Sequence, residues 1–188
     1  MPRVLLIGDS ISEGYTAPVR RLLSGKANVH RIPENGGPTS NGLTNLARWL
    51  EGKKWDVIHF NWGLHDLKIM ADGTRQVPPE AYEANLRRLL HELKATGAIL
   101  VWATTTPVPK AEAELKVKRV SADVPVYNAI ARKVMAEGQV GVDDLYSVAL
   151  PQLSKIQHPA DVHYTTEVYE VLAEHVAASI EAALPKGH

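Results

Sequence analysis

A serine follows an apolar run at the start of the chain. The segment over residues 3–10 begins with that run and ends in Gly8-Asp9-Ser10. A buried strand ending there would place the serine hydroxyl at the carboxyl edge of a sheet, where open α/β folds put their ligands. Near the other end of the chain, His163 follows Asp161 by two residues. A serine hydroxyl becomes a nucleophile when a base lies within hydrogen-bond reach and a third group orients that base. Ser10, His163 and Asp161 are the residue types that this chemistry requires.

The elements that must position these residues follow from the hydrophobic pattern. Apolar runs of strand length alternate with segments of helical period, which predicts parallel strands with crossover helices on both faces. Strands are predicted over 3–8, 27–32, 55–61, 98–104 and 140–142, and helices over 14–24, 41–50, 80–96, 126–137, 145–153 and 165–184, with Ser40 or Asn41 capping the second helix. The predicted fold is a three-layer α/β/α sandwich with a parallel sheet of about five strands, formed by one domain over residues 1–188.

Polar residues follow the predicted strands, and the carboxyl ends of parallel strands share one edge of the sheet. Gly36-Gly37 follows the second strand, and His65-Asp66 lies in the loop after the third. Glycine lets the backbone approach a substrate without an intervening Cβ. Backbone N–H groups at Ser10 and in the glycine loop could therefore stabilise the oxyanion that forms when a serine attacks an ester carbonyl.

Four segments resemble, in order and with matching spacing, the sequence blocks of the SGNH, or GDSL-type, serine hydrolases. Gly8-Asp9-Ser10 and the nearby Gly14-Tyr15 are similar to the first block, and Asn35-Gly36-Gly37 is similar to the second. Gly63-Leu64-His65-Asp66 occupies the place of the third block, and Asp161-Val162-His163 occupies that of the fifth. The resemblance covers the whole chain and implies a flavodoxin-like sandwich.

The resemblance also implies an activity and roles for individual residues. It implies ester hydrolysis through an acyl-serine intermediate, without a cofactor, as in bacterial members of the family linked to carbohydrate esters. Ser10 takes the place of the nucleophile and His163 that of the base. The implied oxyanion donors are the N–H of Ser10, the N–H of Gly36 and the side chain of His65.

Two residues depart from the family pattern. His65 stands where the family has asparagine; a neutral imidazole N–H can still donate a hydrogen bond, and an imidazolium donates more strongly. Asp161 lies two residues before His163, whereas the family places its acid three before, at the position of Ala160. Either Asp161 reaches the ring by a different loop path, or a backbone carbonyl orients the ring and leaves a Ser–His dyad.

Four further residues are candidates for contact with the substrate: Gly37, Trp62, Thr105 and Tyr164. Trp62 and Tyr164 could stack on a sugar if they are exposed at the rim, although such residues are more often part of a core. Asp9 and Asp66 are expected to accept backbone N–H bonds that hold the rim. Without its partners, Ser10 would be interpreted as a helix cap.

Composition narrows the classes of partner. The 21 basic and 21 acidic residues give zero net charge, so no general attraction to nucleic acid or to an anionic membrane is expected. Cysteine is absent, which excludes disulfides and thiolate metal sites. His158, Asp161 and His163 lack the spacing of a zinc site, and no metal is expected.

The predicted function is hydrolysis of a small acyl ester, most simply an acetyl ester, with carbohydrate esters as one substrate class. The alternatives are a non-catalytic carbohydrate-binding or scaffold protein on the same fold, and an acyltransferase. The early first strand leaves no room for a signal peptide, so a cytoplasmic protein is expected unless a leader was removed. The sequence gives no indication of oligomeric state.

Overall fold

The computed structural model describes residues 1–109, 117–155 and 161–185. Its strands form one parallel sheet in the order β2-β1-β3-β4-β5. The strands are β1 (Arg3–Ile7), β2 (Asn28–Arg31), β3 (Val57–Phe60), β4 (Ile99–Ala103) and β5 (Gly141–Asp143). The helices are α1 (Ser10–Leu22), α2 (Thr39–Leu50), α3 (Pro79–Ala95), α4 (Asp123–Glu137), α5 (Leu145–Ala149) and α6 (Thr166–Ala183), with a 3₁₀ segment over Leu150–Lys155.

The helices cover both faces of the sheet, which confirms the predicted α/β/α sandwich. Helix α1 packs against α6, and α2, α3 and α4 pack side by side. The central strands are buried except at the first residue of β1 and of β4, and Val4, Leu6 and Ile7 of β1 are fully inaccessible to solvent. A parallel sheet covered on both faces requires such continuous apolar strands. None of the helices in the described part of the chain is long and apolar enough to cross a membrane.

Two helices begin differently from the sequence-based prediction. Helix α1 starts at Ser10 because the Asp9 side chain caps it, accepting the Ile11 N–H at 2.9 Å. Helix α2 starts at Thr39, so the prediction that Ser40 or Asn41 caps it was wrong. Its acceptor comes from the loop after β3, where Asp66 Oδ1 accepts the Thr39 N–H at 2.8 Å.

Candidate active site

Ser10 is the first residue of α1, immediately after the turn that ends β1. The short Gly8-Asp9 connection leaves the serine half-buried at the carboxyl end of the sheet. The N-terminus of a 13-residue helix carries a partial positive charge and N–H groups without intrahelical partners. Both properties favour negative charge beside the Ser10 hydroxyl.

The structure brings Ser10, His163 and Asp161 into one hydrogen-bonded chain. Ser10 Oγ lies 2.7 Å from His163 Nε2, and His163 Nδ1 lies 2.6 Å from Asp161 Oδ1. A carboxylate can only accept, so we assign the ring proton to Nδ1, which leaves Nε2 to accept the Ser10 O–H. This is the arrangement in which a base activates a hydroxyl as a nucleophile.

Asp161 reaches the ring by a tight turn between the two residues. Its Oδ1 also accepts the Val162 N–H at 2.7 Å, which folds the carboxylate back toward the His163 ring. Partial burial raises the pKa of Asp161, but hydrogen bonds from the Val162 N–H and from His163 outweigh it and hold this pKa below its usual value. The sequence left open whether Asp161 or a backbone carbonyl orients the ring. In the structure the Asp161 carboxylate lies at hydrogen-bond distance from His163 Nδ1. Ala160 and His158 lie outside the described residues.

The glycine loop differs from the expectation in one respect. The Gly36 N–H, predicted as an oxyanion donor, is buried and donates to the Gly8 carbonyl at 2.9 Å. A Cβ at Gly36 would lie 2.8 Å from that same oxygen, so the close approach of the two backbones requires glycine. Gly36 therefore connects the loop to the end of β1, and its N–H is not free to bind an oxyanion.

Gly37 occupies the exposed side of the same loop. Its φ of +60° lies in the left-handed region, which glycine adopts without strain. Its N–H donates to the exposed Asn35 side chain at 2.9 Å. This local bond costs little to exchange for a bond to a ligand.

His65 is half-buried in the loop after β3. Burial, with smaller contributions from the charges of Lys68, Arg119 and His163, lowers the pKa of His65 to about 4. The ring is therefore neutral at neutral pH and carries one N–H, so the stronger imidazolium donor considered from the sequence does not form there.

Asp66 connects the loop after β3 to the start of α2. Its Oδ1 accepts hydrogen bonds from both the backbone N–H and the hydroxyl of Thr39, and Asn85 donates to that hydroxyl at 3.0 Å. Among the described residues, Asp66 Oδ2 is buried without a partner. Burial, with a smaller contribution from the charge of Asp9, raises the pKa of Asp66 to about 7 despite the Thr39 hydrogen bonds.

Substitution of Asp66 by asparagine should change how stability depends on pH. The folded-state pKa of about 7 lies above the unfolded value of 3.8, so the folded protein holds a proton that the unfolded chain has lost. Stability is then lost as the pH rises through 7. Relative to wild type, Asp66→Asn should therefore gain roughly 2–4 kcal/mol in free energy of unfolding between pH 4 and pH 8, measured by urea denaturation.

The exposed Asp72 provides the matched control for this measurement. Hydrogen bonds from the Thr74 N–H and hydroxyl lower the pKa of Asp72, so Asp72→Asn should show no such gain on raising the pH. Parallel pH profiles for wild type and Asp66→Asn would contradict a raised pKa at Asp66.

Three residues predicted to contact the substrate are buried, and this corrects the prediction. Trp62, Thr105 and Tyr164 each expose about 1% of their surface. The aromatic residues fill the layer beneath the rim because their rings have apolar neighbours there: Trp62 lies against Phe60, and Tyr164 meets Tyr169 edge-on.

Thr105 is fixed to α4 rather than facing a cleft. Its N–H and C=O form a reciprocal pair of hydrogen bonds with the Asn128 side chain, at 2.8 and 2.9 Å. Of the four predicted contact residues, Gly37 alone is not buried.

Arg119 lies close to the site and was not found from the sequence. It is 5% exposed, and its Nε donates to the Leu64 carbonyl at 2.7 Å. Burial lowers the pKa of Arg119, while the charges of Asp9 and Asp161 act in the opposite direction. A lone arginine in a polar segment gives no sequence signal of burial. Within the described ranges, no group of three or more metal-ligating side chains occurs.

Comparison with known proteins shows a consistent likeness. The model of the GDSL-like Lipase/Acylhydrolase family matches residues 6–171. An arylesterase of Vibrio mimicus is 29% identical over 110 residues, which is 53% of this chain and 52% of that protein. The match thus spans about half the length of that curated relative.

Solved structures share the fold over nearly the whole chain. A lipase/acylhydrolase from Enterococcus faecalis superimposes with a TM-score of 0.82 at 21% identity and covers 100% of both chains. An acetylxylan esterase from Geobacillus stearothermophilus gives a TM-score of 0.78 at 17% identity and covers 95% of this chain and 94% of that one. At these identities the structures establish a common fold.

Proposed function

Since the chain belongs to the GDSL-like lipase/acylhydrolase family, we propose that it is a serine esterase that hydrolyses small acyl esters through an acyl-serine intermediate. The observation that carries the proposal is the hydrogen-bonded chain from Asp161 through His163 to Ser10, with distances of 2.6 and 2.7 Å. These are hydrogen-bond distances at which a proton can pass from the hydroxyl to the ring.

In the proposed first half-reaction, Ser10 Oγ attacks the ester carbonyl as His163 Nε2 takes its proton. The C–O bond to the leaving alcohol then breaks, and the alcohol takes the proton from His163. In the second half-reaction, water gives a proton to His163 and attacks the acyl-serine. The proton returns to Ser10 Oγ and the carboxylic acid leaves. Throughout, the Asp161 carboxylate holds the ring and stabilises its charged form.

The proposed oxyanion donors are the Ser10 N–H, the Gly37 N–H and the His65 side chain. Gly37 replaces Gly36 in this role because the Gly36 N–H is bound to the Gly8 carbonyl, whereas the Gly37 N–H is bound to an exposed side chain. An arriving oxyanion would displace the Asn35 carboxamide, which water can then solvate. The neutral His65 would donate one N–H without the cost of desolvating an imidazolium.

Substitution of His65 tests its role as an oxyanion donor. Removal of one donor from such a site typically costs about 10²- to 10³-fold in kcat. His65→Ala should therefore lose activity by about this factor, while His65→Asn, which keeps an N–H donor on a shorter side chain, should stay within about tenfold of wild type. Steady-state kinetics on p-nitrophenyl acetate at pH 7 measure both. Equal losses in the two variants would show that His65 acts through packing rather than by donating.

Acetyl esters, including those on carbohydrate, are the proposed substrate class. Support for the acetyl group comes from the acetylxylan esterase among the structures with the same fold, and the partial likeness to an arylesterase supports ester hydrolysis in general. The proposal therefore defines the acyl group of the substrate and leaves the alcohol open.

A hydrolysis screen tests the proposal. Purified protein is incubated with p-nitrophenyl esters of increasing acyl length and with acetylated xylo-oligosaccharides, and products are separated with and without an added alcohol. We expect free acid as the product, with the acetyl ester turned over fastest. Transfer of the acyl group to the alcohol in preference to water would make the protein an acyltransferase. Absence of turnover on every ester would favour a non-catalytic binding protein.

A further inference from the structure

Arg31 is the last residue of the edge strand β2, and it reaches across the end of β1. Its side chain is only 11% exposed, and its guanidinium donates to four backbone carbonyls. Nη2 donates to two carbonyls at 3.2 Å, and Nη1 donates to two more at 3.0 and 3.1 Å. The four acceptors are Gly8, Asp9, Ile32 and Glu34.

These four carbonyls belong to two different segments of the site. The Gly8 and Asp9 carbonyls form the turn that delivers Ser10, and the other two begin the loop that carries Gly37. The segments also meet at one shared atom, the Gly8 carbonyl oxygen. It accepts one hydrogen bond from Arg31 Nη2 at 3.2 Å and another from the Gly36 N–H at 2.9 Å. The guanidinium therefore bridges the nucleophile turn and the glycine loop.

We propose that Arg31 is a positioning residue that fixes the spacing between the Ser10 N–H and the Gly37 N–H. This inference rests on the proposed esterase function of the same site. A planar guanidinium holds its donors in a rigid fork, so four carbonyls bound to it are fixed relative to one another. An oxyanion site works only when its donors are in place before the charge forms, and a displacement of about 1 Å can cost 10²-fold in rate.

The ion pair of Arg31 does not account for this arrangement. Glu13 Oε1 lies 3.1 Å from Arg31 Nη2, but the Glu13 side chain is 49% exposed. Exposed ion pairs contribute little to stability. Arg31 Nη2 contacts Glu13 Oε1 as well as the Gly8 and Asp9 carbonyls, but only the carbonyls belong to the two functional segments. Loss of Glu13 and loss of Arg31 should therefore have different consequences.

Kinetics of four variants separate these contributions. Arg31→Met should lower kcat about 30- to 100-fold with KM changed by less than about threefold, because donors for the transition state are displaced while substrate binding is not. Arg31→Lys should lower kcat by about tenfold, since an ammonium cannot span the four carbonyls. Glu13→Gln should stay within about twofold of wild type, and so should Arg20→Met, which removes an exposed arginine that donates to the Val29 carbonyl of the same strand.

The lysine variant decides the outcome if Arg31→Met fails to fold. Folded Arg31→Lys with kcat within twofold of wild type would overturn the proposal. A variant whose KM rises while its kcat is unchanged would also overturn it. A second measurement is independent of esterase activity: amide hydrogen exchange at Gly36 should be at least about tenfold faster in Arg31→Lys than in Glu13→Gln. Unchanged exchange would also overturn it. Wild-type protein without esterase activity would refute the proposed function, whereas the exchange result would still test the bridge.

Discussion

Replacement of Ser10 by alanine is expected to lower kcat for p-nitrophenyl acetate by about 10⁵- to 10⁶-fold. The residual rate would come from substrate binding and the oxyanion donors alone. The reason is that no other hydroxyl lies 2.7 Å from His163 Nε2 in the described part of the chain. The fold should be retained, because the serine side chain is half-buried and its contact with His163 supports no core packing. Steady-state kinetics with a circular dichroism melt measure both quantities.

Ser147 provides the matched control for this substitution. It is an exposed serine whose hydroxyl donates to an aspartate, Asp144, at 2.9 Å. Ser147→Ala should keep kcat within about twofold of wild type, as surface substitutions away from the site usually do. Folded Ser10→Ala with more than a tenth of wild-type activity would remove Ser10 from the mechanism.

Replacement of Asp161 by asparagine is expected to lower kcat by about 10³- to 10⁴-fold. The carboxylate accepts the His163 Nδ1–H at 2.6 Å, whereas an asparagine amide can donate to Nδ1 and so favour the tautomer that cannot accept the Ser10 proton. KM should change little, because the acid does not contact the substrate. The kinetic comparison uses wild type, Asp161→Asn and Asp72→Asn, an exposed aspartate bound to Thr74.

A loss of less than about tenfold in Asp161→Asn would contradict this expectation. It would mean that a backbone carbonyl or solvent orients the ring well enough for catalysis, as in a Ser–His dyad. The spacing of the two residues makes the test informative, because the tight turn through Val162 is the feature that brings this acid to the ring.

The features that the sequence predicts well are those controlled by local pattern. Continuous apolar runs identify buried parallel strands, and the carboxyl ends of such strands share one edge. This reasoning places Ser10 at that edge, and the resemblance of Asp161-Val162-His163 to the fifth block adds the expectation that His163 meets it, although 153 positions separate the two residues.

Other features depend on contacts between distant segments, which a local pattern does not contain. Gly36 and Gly37 are adjacent and chemically identical, yet the Gly36 N–H bonds to Gly8 and the Gly37 N–H to Asn35. The first bond depends on how the loop packs against β1. Similarly, α2 is capped by Asp66 from another loop, 27 residues away in sequence, and no residue in its own first turn reveals this.

The buried aromatic residues illustrate a different limit. A tryptophan beside a strand end can stack on a ligand or fill the layer below the rim, and its residue type suits both roles. Trp62 and Tyr164 take the second role because large neighbours are available to pack against them. Arg31 and Arg119 also depend on distant contacts, since the bonds from each guanidinium to backbone carbonyls become apparent only in the folded chain.

The most direct measurement of the central claim is covalent labelling with a fluorophosphonate probe, followed by intact mass and peptide mapping. The probe reacts with a serine whose hydroxyl is activated by a neighbouring base. The account predicts a single adduct, located on Ser10 and absent from Ser10→Ala. Folded wild-type protein that gains no adduct, or gains one on another residue, would contradict it.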